Sequence, residues 1–234
     1  MSAGIWAVVP AAGVGSRFAN LNAKAPQQCP KQYLKIGGKT VLEHSLAVLC
    51  RHPKIVGVML ALDANDQHWP KISQLNGKPI CVCTGGKTRA ESVLSALEML
   101  QLMGVGGETL VAVHDAARPC LHALDLDAVI EAALSDAVGA VLAMPVRDTV
   151  KRSDAHLHVL ETLDRSQIWT AQTPQVFRLG PLAQAIAKFP AATDESQAME
   201  QAGLFAKLVT GRASNIKITV PEDLALAAFY LGVS

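Results

Sequence analysis

The sequence predicts an α/β fold built on a mostly parallel sheet, with one β-hairpin arm protruding from it. Short β-branched runs recur along the chain with Ala/Leu-rich, helix-like segments near them, the runs are apolar at successive positions, and a single stretch breaks that rhythm. A strand that is apolar on both faces belongs in a parallel sheet covered by helices on either side. With 234 residues, half of them hydrophobic and only 4% aromatic, the chain can bury a large aliphatic core as one domain spanning residues 1–234.

The apolar start, Met1 to Gly13, lacks the basic leading segment of a secretory signal and runs straight into a Gly-rich turn, so it reads as the first buried strand, Ile5–Ala11. Further strands are expected at Val56–Asp63, Ile80–Thr84, Leu110–His114 and Val138–Val146. Thr40-x-x-Glu43, Thr88-x-x-Glu91 and Thr219-x-x-Glu222 each fit a capping box at the start of a helix. The rhythm breaks at Asp148–Thr162, where Thr149–Arg152 and His156–Leu160 read as two alternating strands around a polar turn at Ser153-Asp154. An isolated hairpin is marginal in water, so this arm, residues 147–166, is expected to pack against a second subunit. The irregular connection Phe18–Pro30, rich in Asn, Gln, Ala and Pro, reads as a mobile surface loop.

The charge balance, 21 Lys+Arg against 20 Asp+Glu, gives a net charge of +1 and excludes a general attraction to nucleic acid or to a membrane surface. No apolar run approaches the roughly 18 residues that span a bilayer. Five scattered cysteines, Cys29, Cys50, Cys81, Cys83 and Cys120, show neither the spacing of a zinc site nor a disulfide framework, which suits reduced thiols in the cytoplasm. Any anion site must therefore be local.

The best local candidate is Pro10-Ala11-Ala12-Gly13-Val14-Gly15-Ser16-Arg17-Phe18, a small-residue turn after the first strand whose backbone N–H groups can converge on a phosphate. A dinucleotide fingerprint needs a small residue where Phe18 stands and an acidic residue about 20 positions on, where Tyr33, Leu34 and Lys35 are found, so an oxidoreductase is disfavoured. The Gly-Gly-Lys-Thr tetrapeptides at 37–40 and 85–88 lack the earlier glycine of a P-loop, which is replaced by Tyr33 and Cys81. Arg17 in the turn and Lys31 just after the loop supply two cations for charge developing on a phosphoryl group. His156-x-His158 reads as an exposed strand face of the arm rather than a metal site.

Five motifs in order, Pro10-Ala11-Ala12-Gly13-x-Gly15-x-Arg17, Pro30-Lys31-Gln32-Tyr33, His114-Asp115-Ala116-Ala117-Arg118-Pro119, Pro145-Val146-Arg147-Asp148-Thr149 and Asn215-Ile216-Lys217-Ile218-Thr219, span nearly the whole chain. Together the sequence resembles the 2-C-methyl-D-erythritol 4-phosphate cytidylyltransferase family. The resemblance implies a Rossmann-like nucleotidyltransferase fold, a homodimer that exchanges the β-arm, and attack by the substrate phosphate on the α-phosphorus of CTP. Arg17, Lys31 and Lys217 are then the catalytic cations, and Ala11, Ala12, Gly13, Gly15, Gly86, Ser92 and Ala116 bind the nucleotide. The backbone of Gly86 can approach the base because no Cβ intervenes.

By the same resemblance, Asp115, Arg118, Thr149, Arg165, Thr173 and Thr193 meet methylerythritol phosphate, Thr149 and Arg165 from the neighbouring subunit. Read from the residues alone, Ser92 can equally be a helix-capping residue, Asp115 a loop cap and Thr193 a helix N-cap. Mg2+ is expected, held mainly through the CTP phosphates. A cytidylyltransferase for another polyol phosphate, such as ribitol 5-phosphate, shares much of this pattern. A non-catalytic nucleotide sensor should have lost one of Arg17, Lys31 or Lys217, and all three are present.

Overall fold

A computed structural model describes residues 4–13 and 29–233; Gly15, Arg17 and nearly all of the Phe18–Pro30 connection lie outside the described residues. Strand β1 (Ile5–Pro10) is followed by a 3-10 turn at Lys31–Tyr33, a small hairpin of β2 (Lys35–Ile36) and β3 (Lys39–Thr40), helix α1 (Val41–Arg51) and strand β4 (Ile55–Leu62). Then come β5 (Gln74–Leu75), β6 (Lys78–Thr84), α2 (Arg89–Leu102), β7 (Leu110–Val113), α3 (Ala123–Ser135) and β8 (Gly139–Pro145). The arm consists of β9 (Val150–Ser153) and β10 (Val159–Leu163), and leads through a 3-10 turn at Arg165–Gln167 into β11 (Trp169–Arg178). Helices α4 (Leu179–Lys188) and α5 (Glu195–Gln201), strand β12 (Lys207–Thr210) and helix α6 (Glu222–Leu231) complete the described chain.

The main sheet has eight strands in the order β12-β8-β11-β7-β1-β4-β6-β5. β1 pairs in parallel with β4 and β7, β4 with β6, and β8 with β12, while β11 runs antiparallel between β7 and β8. The strand alternation explains the unbroken apolar runs. Ala7 and Val9 of β1 face Leu42, Leu46 and Leu49 of α1 together with Leu126 and Ile130 of α3, whereas Val8 faces Val93 and Leu97 of α2 together with Leu182 and Ile186 of α4. Each such side chain, fully buried, contributes about 1.5–3 kcal/mol.

Two expectations need correction, the capping boxes and the histidine pair of the arm, and β11 is an additional strand. Pro174 argues against a strand interior, and the pairing with β8 shifts register between Ala171 and Gln175 and so accommodates it. Of the three capping boxes, Thr40–Glu43 is complete in both directions, with Glu43 N–H donating to Thr40 Oγ1 and Thr40 N–H to Glu43 Oε2. Thr88 caps Glu91 N–H, but the Glu91 carboxylate turns instead to the Lys87 N–H. Thr219–Glu222 forms no box at all: α6 begins only at Glu222, and Asp223 Oδ2 accepts from Thr219 N–H, Thr219 Oγ1 and Val220 N–H. His156 and His158 lie in the turn of the arm rather than on a strand, their N–H groups both donating to Asp154 Oδ1.

Candidate active site

The parallel strands bring their carboxyl ends to one edge of the sheet, where open α/β folds bind ligands. Ala11, Ala12 and Gly13 leave β1 there, Gly85 and Gly86 leave β6, and the run from His114 to Arg118 leaves β7. β11 enters from the same edge, so Thr173 comes beside Asp115.

The Gly turn is held in place by Gln32, a buried side chain whose amide donates to the carbonyls of Ala11 at 2.8 Å and Gly13 at 3.1 Å. This ties the turn after β1 to the Lys31 segment. Lys31 Nζ donates to the Ile218 carbonyl at 2.6 Å, and the Ile218 N–H donates to the Ala117 carbonyl at 2.8 Å. Lys31 and the Lys217–Ile218 segment are thereby brought together across 187 positions of sequence.

Asp115 is the centre of the cluster. Its Oδ1 accepts from Arg89 Nε at 2.8 Å, and its Oδ2 lies 2.8 Å from Lys217 Nζ and 3.6 Å from Arg118 Nε. Burial by itself would raise its pKa, but Arg89, Lys217 and Arg118 outweigh burial and hold the carboxyl well below the usual range. Arg118, whose pKa burial lowers against the pull of Asp115, also donates to the Asn215 carbonyl at 2.7 Å. Asn215 is fully buried and donates to the Thr173 carbonyl, so the Lys217 segment is fastened from both sides.

Behind Asp115 stands a neutral histidine. Burial lowers the His114 pKa to about 4, and its ring nitrogens meet the Arg118 carbonyl and Thr173 Oγ1, each at 3.1 Å. Because a carbonyl can only accept, Nε2 carries the proton, and Nδ1 accepts from the Thr173 hydroxyl. Thr173 Oγ1 in turn accepts from the Asp115 N–H at 3.0 Å. Thr173 is thus buried behind Asp115 and fixes its backbone.

Ser92 is also buried, and its hydroxyl donates toward the Thr88 carbonyl while accepting from Gly86 N–H at 3.1 Å. It shapes the Gly85-Gly86 turn. A Cβ on Gly85 would stand 2.6 Å from the Ala12 Cβ, and one on Gly86 2.2 Å from the Glu91 Cβ, so both positions need glycine. The Ala116 carbonyl accepts from Ser45 Oγ at 2.9 Å.

The remaining candidates stand apart. Thr149 and Arg165 are exposed on the arm, Arg165 donating to the Arg147 carbonyl, and neither contacts the Asp115 cluster among the described residues. Thr193 is exposed and precedes the true N-cap of α5, Asp194, which settles the local choice against a Thr193 cap. Two residues of the cluster, Arg89 and Glu195, escape the sequence reading. Their guanidinium–carboxylate contact is bidentate, at 2.6 and 3.0 Å, and the sequence signals it only in that each residue opens a helix.

Comparison with known proteins agrees with this geometry. The family model for 2-C-methyl-D-erythritol 4-phosphate cytidylyltransferase matches residues 5–233. A relative of that name from Ectopseudomonas mendocina (strain ymp) is 47% identical over 229 residues, covering 96% of this chain and 94% of its own length. A crystal structure of 4-diphosphocytidyl-2C-methyl-D-erythritol synthase superposes with a TM-score of 0.83 at 36% identity, covering 99% of each chain. The Francisella tularensis 2-C-methyl-D-erythritol 4-phosphate cytidylyltransferase structure does so with a TM-score of 0.78 at 33% identity, covering 97% of this chain and 99% of that one. With a match from end to end of the described fold, the chain belongs to the 2-C-methyl-D-erythritol 4-phosphate cytidylyltransferase family.

Proposed function

We propose that residues 1–234 form one nucleotidyltransferase domain that transfers the cytidylyl group of CTP to 2-C-methyl-D-erythritol 4-phosphate and releases pyrophosphate. The observation that carries this reading is the convergence of Lys31, Lys217 and Arg118 around Asp115 and Ile218 at the carboxyl edge of the sheet. A phosphate nucleophile is already an anion, so the reaction asks for positioning and charge stabilisation rather than a nucleophile–base pair.

In this mechanism Lys31, with Arg17, stabilises the charge that develops on the α-phosphoryl group and the triphosphate, and Lys217 is a third cation at the transferring phosphate. Ala11, Ala12, Gly13, Gly15 and Ala116 meet the nucleotide through their backbone. Gly86 admits the base closely, and Ser92 fixes the turn that carries Gly86. Asp115 and Arg118 orient the polyol phosphate, Thr173 sets the Asp115 backbone, and the exposed Thr193 offers its hydroxyl to the substrate. Thr149 and Arg165 reach the substrate from the arm of a second copy in a homodimer.

The residues fit Mg2+ carried by CTP rather than by the protein. Both oxygens of Asp115 are committed to cations, and the described residues contain no group of three or more His, Cys, Asp or Glu able to hold a metal. Bound to the triphosphate, Mg2+ would offset charge on the leaving pyrophosphate. The cytoplasm is the compartment we assign, supported by five free thiols.

The direct test is pyrophosphate release with Mg2+, offering CTP, UTP, ATP and GTP against methylerythritol phosphate and ribitol 5-phosphate. Turnover chiefly with CTP and methylerythritol phosphate supports the assignment. Preference for ribitol 5-phosphate keeps the chemistry and changes the substrate, and no turnover with any pair overturns it.

A further inference from the structure

Of the cations around Asp115, Arg89 is the one clamped from behind by a second carboxylate. Arg89 opens α2, and its Nε donates to Asp115 Oδ1 at 2.8 Å. Its two terminal nitrogens donate to the two oxygens of Glu195, at 2.6 and 3.0 Å, so the planar guanidinium is fixed in both position and rotation. Glu195 opens α5 and is 1% exposed, which keeps it from touching any ligand. The other oxygen of Asp115 carries Lys217 Nζ at 2.8 Å. The four side chains form one line of alternating charge, from a sealed carboxylate inside the fold to an ammonium that is 39% exposed.

A buried ion pair is a poor way to add stability, because desolvation offsets most of its attraction and well-packed apolar side chains do as well or better. Its distinctive product is geometry. We infer that Arg89 and Glu195 are a positioning pair for the transfer reaction: they fix the Asp115 carboxylate, and through it the place where the Lys217 ammonium meets the transferring phosphate. This rests on the cytidylyl-transfer reading above. Neither residue is a catalytic residue in it, since Glu195 acts only through Arg89 and Arg89 through Asp115.

The decisive variant is Glu195→Gln, which keeps the volume and one acceptor oxygen but removes the charge that holds the guanidinium. Its kcat/KM for methylerythritol phosphate should fall about tenfold to a hundredfold, the range typical when an outer residue that orients a working group is removed. The KM for CTP should stay unchanged. In a Lys217→Ala background the same substitution should have little further effect, because the route to the phosphate is already gone. A full additional loss in that background, or a parallel rise in both KM values, overturns the proposal.

A readout independent of turnover is the resonance of Lys217 after reductive methylation of the lysines with isotope-labelled formaldehyde, assigned by its loss in Lys217→Ala. Its chemical shift should move in Glu195→Gln, and an unmoved signal overturns the proposal. If Glu195→Gln fails to fold, Arg89→Lys takes its place with the same readouts, since a lysine retains the charge but cannot bridge both carboxylates. Wild-type protein that turns over no substrate would sink the cytidylyl reading, and the Lys217 resonance would then decide the positioning on its own.

Discussion

The Lys31 ammonium donates to the Ile218 carbonyl, one residue from Lys217, and in the proposed reaction these two cations from opposite ends of the chain address one phosphoryl group. Removing one preorganised charge from a site of this kind costs roughly 3 kcal/mol of transition-state stabilisation, or more than about a hundredfold in kcat. Lys31→Ala should show that loss beyond the modest fall in melting temperature expected from losing its hydrogen bond to Ile218, and near-normal turnover would refute its role. His114 makes a different prediction. Its folded pKa is about 4 because burial disfavours the imidazolium, whereas an unfolded histidine titrates near about 6.5. Between those values the unfolded chain binds the extra proton, so the His114 contribution is whole above that window and is lost as pH falls through it. His114→Gln should flatten the decline of urea midpoints between about pH 6.5 and about pH 4 relative to wild type; identical slopes would mean that His114 is not held neutral. At this scale, Asp115, Lys31 and Lys217 are singled out in the sequence by compact family motifs, although only Asp115 follows a strand end, Lys31 lying in a 3-10 turn and Lys217 between β12 and α6. Arg89 and Glu195 are not, since they meet across 106 positions and each looks locally like an ordinary first-turn helix residue.

The parallel strands were readable because a strand covered on both faces leaves an unbroken apolar run, as in β4, where Val58 and Leu60 pack toward one layer and Met59 and Ala61 toward the other. β11 is hidden in the sequence by Pro174 and by its run of Thr and Gln, whose polarity reflects a strand that passes the Asp115 cluster midway along its length. The caps show the same limit: spacing identifies which side chains can reach an N-terminus, but not where the helix starts. Thr219 and Glu222 have the right spacing, yet Pro221 precedes the helix and Asp223 takes three donors at 2.7–3.0 Å. Burial tends to raise the Asp223 pKa, but those donors and nearby Lys31 bring it below the ordinary value. Asp223→Ala should therefore lower stability by about 1–2 kcal/mol, the cost of losing a helix cap, while Glu222→Ala should be close to neutral. The two denaturation midpoints at equal m-values decide between the caps, and a larger loss at Glu222 would restore the capping box. Because Lys31 feels Asp223, the Asp223 variant should also slow turnover.

The arm raises the question of what the molecule is as a whole. β9 and β10 pair only with each other, and two strands alone are marginal in water. Their tip nevertheless exposes Leu157 at 84%, Val159 at 63% and Leu160 at 58%, apolar surface that a second copy would cover. Thr149 and Arg165 flank these strands and make no hydrogen bond or ion pair to the Asp115 cluster among the described residues. If the arm crosses to a partner, two consequences follow from the same geometry. Val159→Asp with Leu160→Asp should shift the sedimentation profile from dimer to monomer and cut activity with it, because a charge in a dry interface is costly. Further, a Lys31→Ala chain and an Arg165→Ala chain, each nearly inactive alone, should recover part of the wild-type rate when mixed, since one site of each mixed dimer then holds both intact residues. The mixture must be shown to contain mixed dimers, for instance by differently tagged copies that purify together. Mixed dimers without recovered activity would mean that each chain builds its site alone, and the arm would then serve assembly and not catalysis.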